Sequence, residues 1–272
     1  MGVSNGDPLS SVAGWPVSTA AVGVTSPAGT LAATGPLDEA LPLASVTKLL
    51  TAMGVLVAVE EETVGLDDPA GPDGSTVAHL LAHASGLGLD GARISLPGRK
   101  RIYSNAGFEV LGEVVAARSG IPFTTYVTEA VLQPLGMSHT RMGNPGWGAV
   151  GCAADLLALG RELLEPKVLS PAMLARATTV AFPGLDGVLP GFGRQSPNDW
   201  GLGFELRDGK SPHWTGGRNS TRTFGHFGRS GTFLWVDPDA GLACACVTDR
   251  DFDSWAAEAW PRLSDEVVSS FK

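Results

Sequence analysis

The spacing of apolar and polar positions divides the chain into a strand-rich start, a helical middle and a strand-rich end. Trp15 to Ala33 (WPVSTAAVGVTSPAGTLAA) reads as two short strands, with Ser26-Pro27-Ala28-Gly29 as the turn of a hairpin. Leu43 to Glu62 is a long apolar stretch and predicts one buried helix beginning at Ser45. Between about Ser75 and Arg141, VAHLLAH, FEVLGEVVAARSG and FTTYVTEAVLQPLG each keep a helical period, and Gly120 and Gly136 stand where C-terminal caps belong. Cys152 to Leu164 predicts another amphipathic helix, with Asp155 near its start. From Trp200 onward, GLGFELRD, TFGHFG, GTFLWVDP and LACACVTD are alternating or continuous apolar runs broken by Gly and Pro, the mark of strands. Ser254 to Phe271 predicts a closing helix. The order places the first and last strands in one sheet and inserts a helical lobe between them.

A length of 272 residues suits one large domain or two lobes sharing a core. With 43% hydrophobic and 17% charged residues the chain has enough apolar material to fold, which excludes a disordered segment. The net charge of −9 disfavours nucleic acid and polybasic membrane anchoring, both of which need a basic face. The longest apolar run, Leu49 to Val59, is too short to span a bilayer and reads as core. The opening MGVSNGDPLSSVAGW has neither a basic n-region nor an apolar h-region, so a cytoplasmic chain is expected, with export of a longer precursor left open. Cys152, Cys244 and Cys246 are expected to be buried free thiols, the last two facing opposite sides of a strand.

Three short motifs carry chemistry. Ser45-Val46-Thr47-Lys48 is S-x-x-K at a predicted helix start. Residues three apart share a helix face, so Lys48 can reach the Ser45 hydroxyl, and burial can lower the lysine's proton affinity enough to make it a base. The ordinary alternative is a capping serine with an exposed lysine. Tyr103-Ser104-Asn105 follows a turn-rich stretch and precedes a helix. A phenol there can relay a proton if nearby cations lower its pKa, and Asn105 offers both a donor and an acceptor. Alternatively, Asn105 is a helix cap and Tyr103 a packed aromatic. His226-Phe227-Gly228 lies between two predicted strands, where a backbone N–H beside Gly228 and that of Ser45 can face a developing oxyanion. The plain reading is a glycine-rich hairpin with a surface histidine.

In this order, S-x-x-K, Y-S-N and H-x-G resemble the serine β-lactamase and penicillin-binding-protein superfamily. The chain is most similar to the branch holding class C β-lactamases, family VIII carboxylesterases and D-stereospecific peptidases. The similarity runs through LASVTKLLTA, HLLAHASGL, YSNAGFEVLGEVVAARSG, VLQPLGMSHTRM, GCAADLLALG, WGLGFEL and GHFGRSGTFLWVDPDAGLACACVTDR, covering most of Trp15 to Arg250. It implies an α+β fold: an antiparallel sheet flanked by terminal helices, with an inserted helical lobe. The lobes would be about 1–65 with 190–272, and about 66–189, in a single domain 1–272. The site would lie between them. Carried over by position, Ser45 is the nucleophile of an acyl-enzyme, Lys48 its base or relay, and Tyr103 a partner base that also activates the deacylating water. Which of Lys48 and Tyr103 is the general base stays open. Asn105 would orient substrate, His226 and Gly228 occupy the place of a K-T-G triplet, and the N–H groups of Ser45 and Arg229 would form the oxyanion hole. The resemblance implies a small-molecule ester or amide substrate, with no metal and no cofactor.

The departures shape the expected specificity. His226 and Phe227 stand where β-lactamases usually carry Lys and Thr or Ser, groups that help hold a β-lactam carboxylate. This favours small carboxylic esters, although Arg229 can still meet an anion. β-Lactamase or D-peptidase activity at the same site is the neighbouring alternative, and a non-catalytic scaffold that kept the fold is the alternative of another class. Other features are set aside. His79 and His83 have metal-pair spacing but no Glu between them as in HExxH. Gly201 and Gly203 open no helix and form no nucleotide fingerprint. Arg99-Lys100-Arg101 reads as a solvated loop or as a positive rim lowering the Tyr103 pKa. Trp214, Trp235, Trp255 and Trp260 read as core aromatics, although Trp214 falls on a loop that can face the cleft.

Overall fold

The computed structural model describes residues 7–272. Met1–Gly6, the start of the expected α/β lobe and of the stretch read for a leader, lie outside the described residues. A short 3-10 turn (Ser10–Gly14) precedes β1 (Ala20–Ser26), β2 (Gly29–Thr34) and β3 (Leu41–Pro42). Four helices follow: α1 (Thr47–Glu60), α2 (Val77–Leu81), α3 (Asn105–Ser119) and α4 (Phe123–Val127). Then come β4 (Val150–Gly151), α5 (Ala153–Leu164), α6 (Pro171–Ala177), and the hairpin β5 (Gly187–Leu189) with β6 (Gly193–Gln195). Four strands, β7 (Glu205–Leu206), β8 (Phe224–Gly228), β9 (Thr232–Asp237) and β10 (Leu242–Thr248), lead to α7 (Ser254–Phe271).

Six strands form one antiparallel sheet in the order β2-β1-β10-β9-β8-β7. The chain's first hairpin therefore pairs with its last strand, Val22 opposite Cys246. The period-two pattern divides the sheet's side chains between two layers. Ala243, Ala245, Val247, Leu234 and Val236 join α1 and α5 in the larger core, whereas Val22, Val24, Phe233 and Trp235 pack with Trp260, Leu263 and Val267 of α7. Cys244 and Cys246 both belong to the α7 side. That corrects the expectation of opposite faces, because residues two apart on a strand point the same way. Both are buried and free, as is Cys152.

Helix α1 is buried from Thr47 to Ala58, as a helix apolar all round must be. It begins later than expected. Ser45 lies in a 3-10 turn, Ala44–Val46, entered through Ala44 at φ +44°. Other elements also differ from the sequence reading. Trp15–Ser18 precede the first strand, and GLGFELRD keeps only Glu205–Leu206 as β7. Gly203 sits at φ +90° and so breaks that run. The β5–β6 hairpin has no counterpart in the sequence reading, its three-residue strands being too short to show a period. Among the described residues no helix is long and apolar enough to cross a membrane.

Candidate active site

The turn carrying Ser45 is fastened to the β8–β9 hairpin. Thr232 donates its hydroxyl to Leu43 O at 2.9 Å, and Ser230 donates to Pro42 O at 2.6 Å. Gly228 closes the seam, because a Cβ there would lie 2.5 Å from Leu43 O. The hairpin turn after Gly228 thus brings the backbone of Arg229 beside the Ser45 turn. Ser45, Tyr103, Asn105, His226 and Arg229 all line one cavity of about 640 Å³.

Lys48 is fully buried one turn after Ser45. Its Nζ donates to Asn105 Oδ1 and to Gly146 O, each at 2.6 Å, and lies 4.6 Å from the Tyr103 ring centroid and 5.5 Å from that of Phe108. Both hydrogen-bond partners are neutral. Burial pushes the ammonium down to about 7, with the charge of Glu109 pulling the other way. The predicted lowering holds, and the groups against Nζ are two aromatic rings and two amide oxygens. A neutral amine has two hydrogens and one lone pair. Two acceptors use the hydrogens and leave the lone pair free.

Helix α3 is capped by Ser104, whose Oγ accepts from Gly107 N at 3.0 Å. The capping alternative for Asn105 is thereby corrected: relieved of that task, its side chain faces Lys48. Tyr103 precedes the cap and packs on the buried His83, ring centroids 4.6 Å apart. His83 Nδ1 accepts from Ser104 N at 3.2 Å, which orients the histidine beneath the phenol. His79 stacks on Phe182, ring centroids 4.2 Å apart. Burial raises the Tyr103 phenol above its ordinary range, opposed by a hydrogen bond with Ser45. A positive rim lowering it is not what the fold builds. Arg101 turns inward, its guanidinium donating to the carbonyls of Ala82, Ala181, Phe182 and Asn198.

His226 is buried and neutral. Its Nδ1 donates to Phe227 O at 2.7 Å, so Nε2 presents a lone pair 3.5 Å from the Tyr103 hydroxyl. Burial, then the charge of Lys48, pushes His226 down to about 3. It is therefore no surface histidine, and it does not supply the positive charge that a lysine would. Arg229 projects into solvent with its Nε 3.5 Å from Asp251 Oδ2.

The beta-lactamase family pattern matches residues 11–268. The chain belongs to the beta-lactamase family. A beta-lactamase from Mycobacterium bovis is 56% identical over 97% of this chain and 99% of that one, with a TM-score of 0.96. Unliganded simvastatin synthase from Aspergillus terreus shares the fold at 17% identity and TM-score 0.79, over 96% of each chain. Penicillin-binding protein 4* of Bacillus subtilis is 27% identical over 38% of this chain and 30% of its own length. A D-alanyl-D-alanine-carboxypeptidase/endopeptidase of Escherichia coli is 28% identical over 38% of this chain and 37% of its own. The chain thus matches only about a third of the length of those two relatives. The expected α+β, beta-lactamase-like fold is this chain's fold.

Within this family fold the sequence motifs and the cavity coincide, but several lining residues carried no motif. Trp147, Trp200, Pro190 and Phe252 line the cavity together with Phe227. Gly146, which offers Lys48 its second acceptor, sits in the stretch NPGWG, whose only signal was turn chemistry. Trp214 takes the core alternative rather than the cleft: it is buried and donates Nε1 to Glu205 Oε2 at 2.9 Å.

Proposed function

We propose that the chain is a serine hydrolase that forms an acyl-enzyme at Ser45 and releases small carboxylic acids from uncharged esters. The observation that carries this reading is Lys48: a buried amine lowered by burial to about 7, three residues from a hydroxyl exposed to the cavity. In this scheme Ser45 Oγ attacks the ester carbonyl. The Ser45 proton passes to the Lys48 lone pair by way of the Tyr103 hydroxyl, whose raised proton affinity keeps it a phenol at rest. The backbone N–H groups of Ser45 and Arg229 face the oxyanion. Tyr103 protonates the departing alcohol. Asn105 holds Lys48 and meets the substrate, and water attacks the acyl-enzyme with the same groups acting in reverse.

Esters are preferred over β-lactams because the cavity wall lacks a dedicated cation for a carboxylate. His226 is neutral, and Arg229 stands at the solvent edge beside Asp251. The 56% identical beta-lactamase of Mycobacterium bovis supports the second reading, β-lactam hydrolysis at the same serine. Initial rates on p-nitrophenyl acetate, p-nitrophenyl butyrate and a chromogenic cephalosporin, with wild type beside Ser45→Ala, separate the two. The expected result is ester turnover exceeding cephalosporin turnover and falling at least ~10³-fold in Ser45→Ala. Faster cephalosporin turnover moves the chain to the second reading. If neither substrate shows Ser45-dependent turnover, both fall, and a scaffold is what remains.

A further inference from the structure

Seven large apolar side chains are exposed among the described residues, and four of them line two neighbouring hollows: Leu89 at 58%, Ile94 at 64%, Trp147 at 53% and Val188 at 60%. Exposed apolar surface gathered in one place is a binding feature, whereas single exposed residues are not. A second groove of about 610 Å³ adjoins the Ser45 cavity and shares Leu89, Tyr103 and Pro190 with it. Ile94 and Val188 line this second groove only. The two hollows therefore adjoin along Leu89, Tyr103 and Pro190.

The direction of the reaction decides which part of a substrate enters the groove. The oxyanion N–H donors belong to Ser45 and Arg229, and Arg229, Phe227 and Phe252 border the first cavity alone. Tyr103 borders both. A leaving alcohol takes its proton from the Tyr103 hydroxyl and so departs on that side. We propose that the second groove is a subsite for the leaving group of the substrate: a linear apolar alcohol running from Ser45 past Tyr103 onto Ile94 and Val188. The proposal rests on the acyl-transfer reading above. The Ser45 Oγ–carbonyl bond forms as the alkoxy C–O bond breaks, and the serine proton ends on the alcohol oxygen, so no other reactant is needed.

The test is a pair of matched series: alkyl acetates from ethyl to octyl, which lengthen the alcohol, and ethyl alkanoates from acetate to octanoate, which lengthen the acyl chain. Full burial of a methylene corresponds to about fourfold in kcat/KM, and an open groove to about twofold. The acetate series is thus expected to rise about 60-fold from ethyl to octyl, with the acyl series flatter. In Ile94→Ser, Val188→Ser and the double variant, the slope of the acetate series should fall towards zero. The slope is the readout, so a change in overall rate does not obscure it, and both sites are exposed enough for the variants to fold. A flat acetate series, a steeper acyl series, or an unchanged slope in the double variant overturns the subsite while short-ester turnover keeps the acyl-transfer reading. Loss of all Ser45-dependent ester turnover overturns both.

Discussion

Lys48 and Lys210 are both buried, at 0% and 5% exposure, and each holds a residue that lines the Ser45 cavity, yet their surroundings make different chemistry of them. Lys48 Nζ meets two neutral oxygens and two aromatic rings. Lys210 Nζ meets the carboxylate of Glu205 and the carbonyls of Asp199 and Leu206. The second Glu205 oxygen is bound by His213 Nε2 and Trp214 Nε1, each at 2.9 Å. Burial pushes Glu205 up, but the charges of Lys210 and His213 and their hydrogen bonds outweigh it and bring the carboxyl down to about 2. Burial alone therefore does not make a base. Burial without a countercharge in contact does, because desolvation then lowers the proton affinity of the amine.

Exchanging each lysine for methionine should give crossed results, and these are the largest effects expected. Lys48→Met should lower kcat on p-nitrophenyl butyrate by about 10²–10⁴-fold, the range for a lost general base. The fold should hold. With Lys48 at about 7 in the folded chain against 10.5 for a free lysine, the unfolded chain binds the extra proton between those values. Stability therefore rises with pH through that window and is lost as pH falls to about 7, by roughly 5 kcal/mol across the whole window. Lys48→Met lacks this slope and should match or exceed wild type in urea at about pH 6. Lys210→Met strands a buried carboxylate and should lose about 3–5 kcal/mol. Equal losses of stability in the two variants would remove the distinction.

How far these two lysines can be read from sequence shows where the sequence stops. Ser45, Lys48, Tyr103 and Asn105 are legible through the family resemblance that their motifs make together, since each motif alone fits a helix cap or a packed aromatic equally well. The strands from Phe224 to Thr248 and the helix Ser254–Phe271 are legible because each repeats its period over several residues. The partners of Lys48 are less visible. Gly146 O is a backbone atom 98 positions away, and no side-chain pattern announces a carbonyl. The cluster at Lys210 escapes the sequence altogether: Glu205, Lys210 and His213 are near in sequence, but nothing local says that their loops fold inward. Arg101 reads as solvated because charged runs usually are, whereas four carbonyl oxygens from three separate segments hold it inside.

Asn105→Asp should turn one site into the other. It places a carboxylate where the amide oxygen now accepts from Lys48 Nζ at 2.6 Å, and so gives Lys48 the partner that Lys210 already has. The ammonium is then stabilised, and the apparent pKa of kcat/KM for ester hydrolysis should move upward by about 1–3 pH units. Turnover near pH 7 should fall by about tenfold or more and recover in large part by about pH 9. Asn105→Ala removes the hydrogen bond without adding charge, so its loss should not recover in this way. Parallel pH profiles for Asn105→Asp and Asn105→Ala would mean that Asn105 acts only by shape.

Glu109→Gln makes the smallest change and bears most directly on the account of Lys48. Glu109 acts on Lys48 only through its charge, which raises the amine against the effect of burial. Its Oε1 accepts from Asn144 Nδ2 at 2.7 Å, and a glutamine can accept the same hydrogen bond. The variant therefore deletes a charge and keeps the packing. With less to oppose burial, Lys48 should become a weaker base, and the acid limb of the kcat/KM profile should move to lower pH by a few tenths. Turnover at about pH 6 should rise by about twofold, and the rate on the alkaline plateau should stay level. Added salt should shrink the difference between wild type and Glu109→Gln, since a charge acting at a distance is screened whereas the amide bonds at Lys48 Nζ are not. A shift to higher pH, or a shift that salt does not touch, would show that something other than the missing countercharge sets the lysine.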